Sequence, residues 1–275
     1  MEERLIQHFE DSFDRILIHD DSWDTPVADR IRKLFSIQKV QRTSGKVYEN
    51  SGTLTAEEFN KSKRQILVTK HKGSFFKRCP GAKPGLVCCN YFVLNLGLQC
   101  NMNCSYCYLQ SYINTPYLTI YSNIDDAKNE IKEIADQYPN LHYRVGTGET
   151  IDSLSMDPIT HYSKDLIAFF KNYPNWILEL KTKSSFVDHF LNESHAGNVL
   201  VSWSINPQYV ISKEEHGTAS LEERLSSAKK CVDRGFKIAF HFDPMIFHEN
   251  WKENYGDLID QIQNRFQPSE VDLIT

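Results

Sequence analysis

The sequence predicts an α/β protein in which parallel strands alternate with helices. From residue 91 onward, short apolar segments alternate with longer amphipathic ones, at the spacing of about 30 residues that is typical of βαβ units. The strand segments, of which Val199–Ile205 is an example, are nearly continuous apolar runs, as in sheets that helices cover on both faces. Right-handed crossovers would bring the carboxyl ends of these strands to one edge, where functional residues gather.

Residues 1–78 are predicted to form a small N-terminal α/β extension, and residues 79–275 form the main domain. The extension has predicted strands at Arg15–His19 and Gln65–Thr69 and a helix at Pro26–Phe35. The loop of residues 79–90 is rich in proline and glycine, which makes it the best boundary candidate.

The elements of the main domain follow from the same patterns. Gly235 is predicted as the C′ residue that ends the helix before it. Because a strand begins at Val271 and the sequence stops at Thr275, we expect the natural protein to continue beyond this point. The predicted strands are Tyr91–Leu96, Leu141–Val145, Trp176–Leu180, Val199–Ile205, Phe236–Phe242 and Val271–Thr275, and the predicted helices are Asp125–Gln137, Thr160–Asn172, Phe186–Asn192, Leu221–Arg234 and Trp251–Phe266.

The composition excludes disordered, fibrous and membrane-spanning classes. Of the 275 residues, 40% are hydrophobic and 24% charged, which is ordinary for a folded protein. No apolar run reaches the roughly 20 residues of a membrane helix. The acidic, amphipathic segment Met1–Asp14 does not have the pattern of a signal peptide. We therefore expect a cytoplasmic protein whose cysteines are thiols or metal ligands rather than disulfides.

The formal net charge of −5 conceals a basic segment. Between Phe59 and Ile124 there is no Asp or Glu, whereas eight Lys and Arg residues occur there. Such a segment favours a DNA or other polyanionic partner, because contacts to phosphates dominate nucleic-acid affinity. The alternative is that these charges only balance an anionic metal cluster and a solvated helix surface.

The cysteines are concentrated in that basic segment. Six of the seven lie between Cys79 and Cys107, and three of these have the spacing Cys100-x-x-x-Cys104-x-x-Cys107 directly after a predicted strand. Three thiolates within eight residues can hold one iron–sulfur cluster and leave one iron open. The alternatives are a zinc site completed by Cys88 or Cys89, or buried free cysteines.

The spacing of the three cysteines, with Tyr106 before the last of them, resembles that of the radical S-adenosylmethionine enzymes. Further segments resemble the spore photoproduct lyase family in particular, namely Cys100–Gln110, Thr182-Lys183, Val187–His189, Trp203–Asn206 and His248–Trp251. The resemblance implies a partial (β/α)6 barrel in which Cys100, Cys104 and Cys107 hold a [4Fe–4S] cluster. It also implies S-adenosylmethionine as the cofactor, cleaved reductively to a 5′-deoxyadenosyl radical, with an electron donor of the flavodoxin or ferredoxin type.

The resemblance also implies roles for residues at the other strand ends. Lys183 would pair with the carboxylate of the cofactor, and Ser204 and Asn206 would bond its methionine or ribose atoms. Tyr106 and Tyr108 would contact the cofactor and relay a hydrogen atom. Independently of the resemblance, His241 and Asp243 end the predicted fifth strand, where we expect them to line the substrate side. The segment resembling the glycine-glycine-glutamate element of radical enzymes, which would bind the methionine ammonium, is Gly146, Thr147, Gly148 and Glu149.

Each of these residues also has a purely structural interpretation. The segment of residues 146–149 could be a turn, Lys183 a solvated lysine, and the tyrosines packed aromatics. Ser204 and Asn206 could form a turn before Pro207, and His241 could be a buried, bonded histidine.

One position departs from the family pattern. The lyases carry a hydrogen-donating cysteine near the end of the second strand, and ungapped placement puts Thr147 there. A hydroxyl is a far poorer hydrogen-atom donor than a thiol. The leading hypothesis is a radical S-adenosylmethionine enzyme of the spore photoproduct lyase type that acts on DNA or another polyanionic substrate, with the thymine photodimer of DNA as the candidate substrate. The alternatives are radical chemistry on another substrate, or a non-catalytic module that binds metal or nucleic acid. Cys79, Cys88 and Cys89 receive no role, and Cys231 is predicted to be a core residue.

Overall fold

The computed structural model describes residues 2–47, 54–79, 81, 85, 90–113 and 115–275. Within these residues the strands are β1 (Arg15–His19), β2 (Val40–Thr43), β3 (Gln65–Thr69), β4 (Phe76–Arg78), β5 (Tyr91–Leu94), β6 (Gly97–Leu98), β7 (Asn103–Cys104), β8 (Leu118–Tyr121), β9 (Tyr143–Gly146), β10 (Trp176–Thr182), β11 (Val199–Ser204), β12 (Glu215–His216), β13 (Lys237–His241) and β14 (Val271–Ile274). The helices are α1 (Glu2–Ser12), α2 (Pro26–Leu34), α3 (Ala56–Ser62), α4 (Ile124–Gln137), α5 (Asp157–Thr160), α6 (Tyr162–Phe170), α7 (Gln208–Glu214), α8 (Leu221–Val232) and α9 (Trp251–Arg265).

The larger sheet has seven strands in the order β14-β13-β11-β10-β9-β5-β4. From β5 to β14 all neighbouring pairs are parallel and follow one another in chain order, and β4 adds an antiparallel edge. The interior strand β11 is buried along its whole length. The predicted α/β class is confirmed, and the carboxyl ends of the parallel strands lie along one edge.

A second sheet has five strands in the order β2-β1-β3-β8-β6. Strands β8 and β6 come from beyond the predicted boundary loop, and β8 extends the sheet because its buried residues pair in parallel with β3. The apolar core runs without interruption between the two sheets, from Phe9 to Phe266. Most of the boundary loop lies outside the described residues, so the division at residues 78 and 79 stays a prediction.

Several element predictions need correction. The predicted helix Thr160–Asn172 corresponds to α6, which begins only at Tyr162 and ends at Phe170, because the left-handed His161, with φ 55°, separates it from the preceding α5. The predicted helix Phe186–Asn192 is wrong: this segment forms successive tight turns, in which Phe190 N bonds to Val187 O at 3.1 Å. The sequence interpretation also missed several elements, namely α1, β2, α3, β8 and α7, although Thr55 and Glu58 form a capping box that marks the start of α3.

The predicted end of α8 is confirmed. Gly235 has φ +81°, and its N–H bonds to Val232 O at 2.9 Å, while Phe236 N bonds to Cys231 O at 3.1 Å. These two bonds are the Schellman arrangement, which favours glycine because a side chain would strain the left-handed backbone. Among the described residues, no helix is both long enough and apolar enough to cross a membrane.

A buried carboxylate joins the two short helices to the turns that follow β10. Asp157, at the start of α5, accepts hydrogen bonds from Ser163 Oγ and His189 Nε2, and from Ser163 N at 2.9 Å. Burial alone would raise the pKa of Asp157, but the hydrogen bonds and charge of His189, with the bonds from Ser163, outweigh it. The pKa of Asp157 is therefore held below its usual range.

This arrangement predicts how the fold responds to acid. Because the pKa of Asp157 is lower in the folded than in the unfolded chain, its stabilising effect is complete above about pH 4. It is then lost as the pH falls through the folded-state pKa. We expect Asp157→Asn to lower the free energy of unfolding at pH 7 by about 2 kcal/mol. Below about pH 4, the free energy of unfolding of this variant should fall less steeply with decreasing pH than that of the wild type, by at most about 1.4 kcal/mol per pH unit. Urea unfolding across this range tests both, and parallel curves for the two proteins would contradict the assignment.

Candidate functional site

The three clustered cysteines lie on one loop that follows β5 and β6. Cys104 is buried and 7% exposed, whereas Cys100 and Cys107 are half-buried. Lys63, at the end of α3, is buried against this loop: its Nζ donates to the carbonyl of Cys100 at 3.0 Å and to that of Met102. All three thiols lie close enough to Lys63 to raise its pKa. The sequence interpretation did not identify Lys63, since only the fold brings α3 to this loop.

Burial and two neighbouring lysines have opposite effects on the pKa values of the loop thiols. Burial raises the pKa of Cys100 to about 12 and that of Cys104 to about 11. The positive charges of Lys63 and Lys183 oppose the rise at Cys100 and Cys104 respectively. Burial also lowers the pKa of Lys63, which the thiols partly offset.

The cysteine loop is fastened to the segment that follows α7. Strand β7 pairs with β12 in antiparallel register, with Cys104 opposite Glu215, and Ser105 N donates to Glu214 O at 2.8 Å. Glu215 accepts a hydrogen bond from the Tyr106 hydroxyl, and burial of that tyrosine beside the carboxylate raises its pKa. Tyr106 is thus fixed by a partner, whereas Tyr108 is 68% exposed.

The predicted cofactor residues of the third and fourth parallel strands converge on the same place. Lys183 directly follows β10, and its Nζ lies 5.5 Å from the centre of the Tyr106 ring. Its backbone N–H donates to Asp152 Oδ2 at 2.7 Å. Ser204 ends β11, and Asn206 donates to Glu215 Oε1 at 2.9 Å. The structure therefore brings Lys183 and Asn206 to the cysteine loop, and Ser204 lies two residues before Asn206 at the end of β11.

Arg224 and Glu215 are site residues that the sequence interpretation missed. Their side chains are fully buried and form an ion pair with an N–O distance of 2.5 Å. A signal for Arg224 was available, because it lies three residues after Leu221 on the buried face of α8. Glu215 offered none, since its partner Tyr106 is 109 residues away in the sequence.

The segment of residues 146–149 lies at the end of β9, but its members face different directions. The Thr147 hydroxyl is buried and donates to Ser153 Oγ at 2.7 Å, away from open space. Glu149 pairs with Lys77 at 3.0 Å. A Cβ at Gly146 would lie 1.6 Å from the hydroxyl of Tyr91, so this glycine admits a close aromatic neighbour. The predicted roles of these residues toward a cofactor stay predictions.

A cavity of about 490 Å³ opens at the carboxyl ends of the parallel strands, and we call it the strand-end cavity. His241, at the end of β13, bonds to Glu179 Oε1 at 3.1 Å and to Thr275 Oγ1 at 2.6 Å. Asp243 is exposed and pairs with Lys181 at 3.4 Å. Lining residues of this cavity include Cys79, Tyr108, Gly148, Glu149, Lys181 and His241.

The basic segment does not form one free surface. Lys63 is buried, Lys83 lies outside the described residues, and Lys70 and Lys72 make no ion pair with the described part of the chain. Three others are paired with carboxylates, namely Lys61 with Glu57, Arg64 with Asp14 and Lys77 with Glu149, at 2.9, 2.7 and 3.0 Å.

The donor set of the loop fits an iron–sulfur cluster. Three thiols lie on one short loop beside two cationic side chains, which suits a cluster that carries negative charge. Among the described residues no three Cys, His, Asp or Glu side chains are gathered tightly enough to bind a single metal ion. A cluster does not require that, because its thiolates bind different irons. Cys231 is buried in α8, as predicted, and Cys88 and Cys89 lie outside the described residues.

A parallel α/β sheet that carries a three-cysteine loop at its carboxyl edge is the architecture of the radical S-adenosylmethionine class. The chain belongs to the spore photoproduct lyase family, whose model, described as Spore photoproduct lyase, matches residues 13–275. The resemblance to this family, stated from Cys100–Gln110 and the segments after it, is thereby confirmed.

Three curated relatives carry the name Spore photoproduct lyase. The protein of Geobacillus sp. (strain Y412MC61) is 30% identical over 67% of this chain and 54% of its own length. That of Bacillus subtilis (strain 168) is 32% identical over 62% and 50%. That of Clostridium acetobutylicum is 26% identical over 96% and 77%. The chain thus spans about half the length of the first two relatives.

Solved structures show the same fold. A doubly substituted Spore photoproduct lyase with bound AdoMet and dinucleoside spore photoproduct superimposes with a TM-score of 0.82 at 24% identity, over 94% of this chain and 76% of that one. A Spore photoproduct lyase complexed with dinucleoside spore photoproduct gives 0.81 at 24% identity, over 95% and 76%.

Proposed function

We propose that this chain is a radical S-adenosylmethionine enzyme of the lyase type. The observation that carries the proposal is the convergence, at one edge of the sheet, of the cysteine loop, through Tyr106, with Lys183 and Asn206. Cys100, Cys104 and Cys107 would hold a [4Fe–4S] cluster. When bound, the cluster and S-adenosylmethionine supply a 5′-deoxyadenosyl radical, which abstracts a hydrogen atom from the substrate.

The residues around the cluster loop have separate tasks in this proposal. Lys63 and Lys183 balance the negative charge of three thiolates, and Lys183 is placed to receive a carboxylate of the cofactor. Ser204 and Asn206 orient the cofactor from the end of β11. Tyr106, fixed by Glu215, lies on the cofactor side, and the exposed Tyr108 lies in the strand-end cavity, where it can reach a substrate. Gly146, Gly148 and Glu149 line the same cavity at the end of β9, and Thr147 between them is buried.

For the substrate we propose the thymine photodimer of DNA, so that the activity is DNA repair. Two structurally similar lyases are described with dinucleoside spore photoproduct. A second candidate is a different substrate acted on by the same radical. It is favoured by Thr147, which stands where the lyases carry a hydrogen-donating cysteine. Its buried hydroxyl donates a hydrogen bond to Ser153 and does not replace a thiol as a hydrogen-atom donor to a substrate radical.

We infer that the seven-stranded sheet belongs to a partial (β/α)6 barrel and that residues 1–78 form its N-terminal extension. Free thiol ligands persist in a reducing compartment, so the protein would act in the cytoplasm with a flavodoxin- or ferredoxin-type electron donor.

Cofactor cleavage tests the proposal directly. We expect the chain, reconstituted anaerobically with iron and sulfide and reduced with dithionite, to release 5′-deoxyadenosine from S-adenosylmethionine, as measured by mass spectrometry. Protein that binds zinc without iron and yields no 5′-deoxyadenosine would overturn the proposal in favour of a non-catalytic metal-binding module.

The substrate is tested separately with dinucleoside spore photoproduct. Recovery of thymine would support the repair function. If 5′-deoxyadenosine forms but the photoproduct is unchanged, the second candidate is favoured.

A further inference from the structure

One buried carboxylate connects three loops at the carboxyl edge of the sheet. Glu215 Oε1 accepts hydrogen bonds from the hydroxyl of Tyr106, in the cysteine loop, and from Asn206 Nδ2 after β11. Asn206 Oδ1 accepts from the hydroxyl of Tyr255 at 2.6 Å, and that hydroxyl accepts from Ile246 N at 2.8 Å. The chain of bonds therefore runs from the cysteine loop, past the end of β11, to the segment that follows β13.

Arg224 holds this carboxylate from the opposite side. It donates to Glu215 Oε2 at 2.5 Å, to Thr218 Oγ1 at 2.7 Å, and to the carbonyls of Ser204 and Ala219 at 2.9 Å each. Both charged side chains are 0% exposed. A buried ion pair of this kind is often no more stabilising than two well-packed apolar side chains. Stability alone therefore does not explain why this buried ion pair is present. Its contacts with Tyr106 and Asn206 do explain it.

We propose that Glu215, held by Arg224, is a positioning residue for the cofactor end of the site. With one oxygen it fixes the hydroxyl of Tyr106 and the amide of Asn206, and so sets the cysteine loop against the end of β11. The inference rests on the proposed function, which assigns Tyr106 and Asn206 to the cofactor. Because Oε1 only accepts hydrogen bonds, an amide oxygen in the same place should serve, whereas an apolar side chain should not.

Two double variants separate positioning from packing. Glu215→Gln with Arg224→Met removes both charges but keeps an acceptor oxygen, whereas Glu215→Leu with Arg224→Met also removes the acceptor. We expect both to fold, with the lower melting temperature in the leucine variant, because there the Tyr106 hydroxyl and the Asn206 amide lose their acceptor. In cluster-free protein, the leucine variant should show faster amide hydrogen exchange in residues 103–107 and 204–206. After reconstitution it should bind S-adenosylmethionine about tenfold more weakly, while the glutamine variant stays close to wild type.

A matched control lies on the same helix. Glu222 of α8 forms an exposed ion pair with Arg265 at 2.8 Å, outside the site. Glu222→Leu with Arg265→Met should change neither the exchange of these two segments nor the affinity for S-adenosylmethionine.

Equal exchange and equal affinity in the leucine and glutamine variants would overturn the proposal. If the leucine variant does not fold, Tyr106→Phe decides, since it removes one bond to Glu215 and leaves the buried pair intact. Faster exchange of residues 103–107 in Tyr106→Phe supports the proposal, and wild-type exchange contradicts it. Because exchange is measured without cluster or cofactor, its result is independent of whether the chain forms 5′-deoxyadenosine.

Discussion

Cys104→Ala is expected to abolish both iron retention and cofactor cleavage. With Cys104 replaced, the loop offers two thiolates to a cluster that needs at least three, and Cys104 is the most buried of the three, at 7% exposed. The loss should exceed the roughly 10- to 100-fold that changes outside the ligand shell cost a metal site. Iron and sulfide per chain after anaerobic reconstitution, with 5′-deoxyadenosine formed per cluster, measure the effect.

The matched control is Cys231→Ala. Cys231 is a buried cysteine of α8 whose burial raises its pKa, and it lies outside the cysteine loop. This variant should retain wild-type iron content and cleavage. Wild-type iron content in Cys104→Ala would show that the loop does not hold the cluster.

Gly146→Ala is expected to destabilise the fold by about 3 kcal/mol. The new Cβ would lie 1.6 Å from the hydroxyl oxygen of Tyr91 and 2.4 Å from its Cζ atom. The backbone of β9 cannot move aside, because Gly146 pairs with Val93 of β5 on one side and with Glu179 of β10 on the other. Chemical denaturation followed by circular dichroism measures the free energy of unfolding.

Two further variants identify the cause. Gly256→Ala, in α9, meets no atom within 4 Å and should instead stabilise by about 0.5–1 kcal/mol, through helix propensity. Adding Tyr91→Leu to Gly146→Ala removes the obstructing ring and should recover part of the loss. If Gly146→Ala alone is as stable as wild type, then the close approach of Tyr91 does not constrain this position.

Gly146 also shows how far sequence reasoning reaches. A glycine followed by Thr147-Gly148-Glu149 after a strand suggested a backbone that lets a ligand approach closely. The structure gives Gly146 a different neighbour, the ring of Tyr91 from the adjacent strand β5. Sequence spacing cannot distinguish the two, because both require the same missing Cβ.

The start of α6 has a similar origin. The helix predicted from Thr160 begins at Tyr162 instead, because the left-handed His161 separates it from α5. The carbonyl of Ile159 accepts from Arg30 Nε at 3.1 Å, and Asp157 bonds to His189. These partners come from distant segments of the chain, so local helix propensity does not predict their contacts.

The sequence by itself determined the α/β class, the Schellman end of α8 and the cysteine loop. Each of these is local: alternation, a glycine after a helix, and three cysteines within eight residues are complete within one stretch of chain. Only the tertiary structure decided that Lys63 faces the three thiols and that Glu215, with Arg224, holds Tyr106 and Asn206. These contacts join segments up to 109 residues apart in the sequence. Buried charged groups need a partner of opposite charge, and burial arises only when the chain folds.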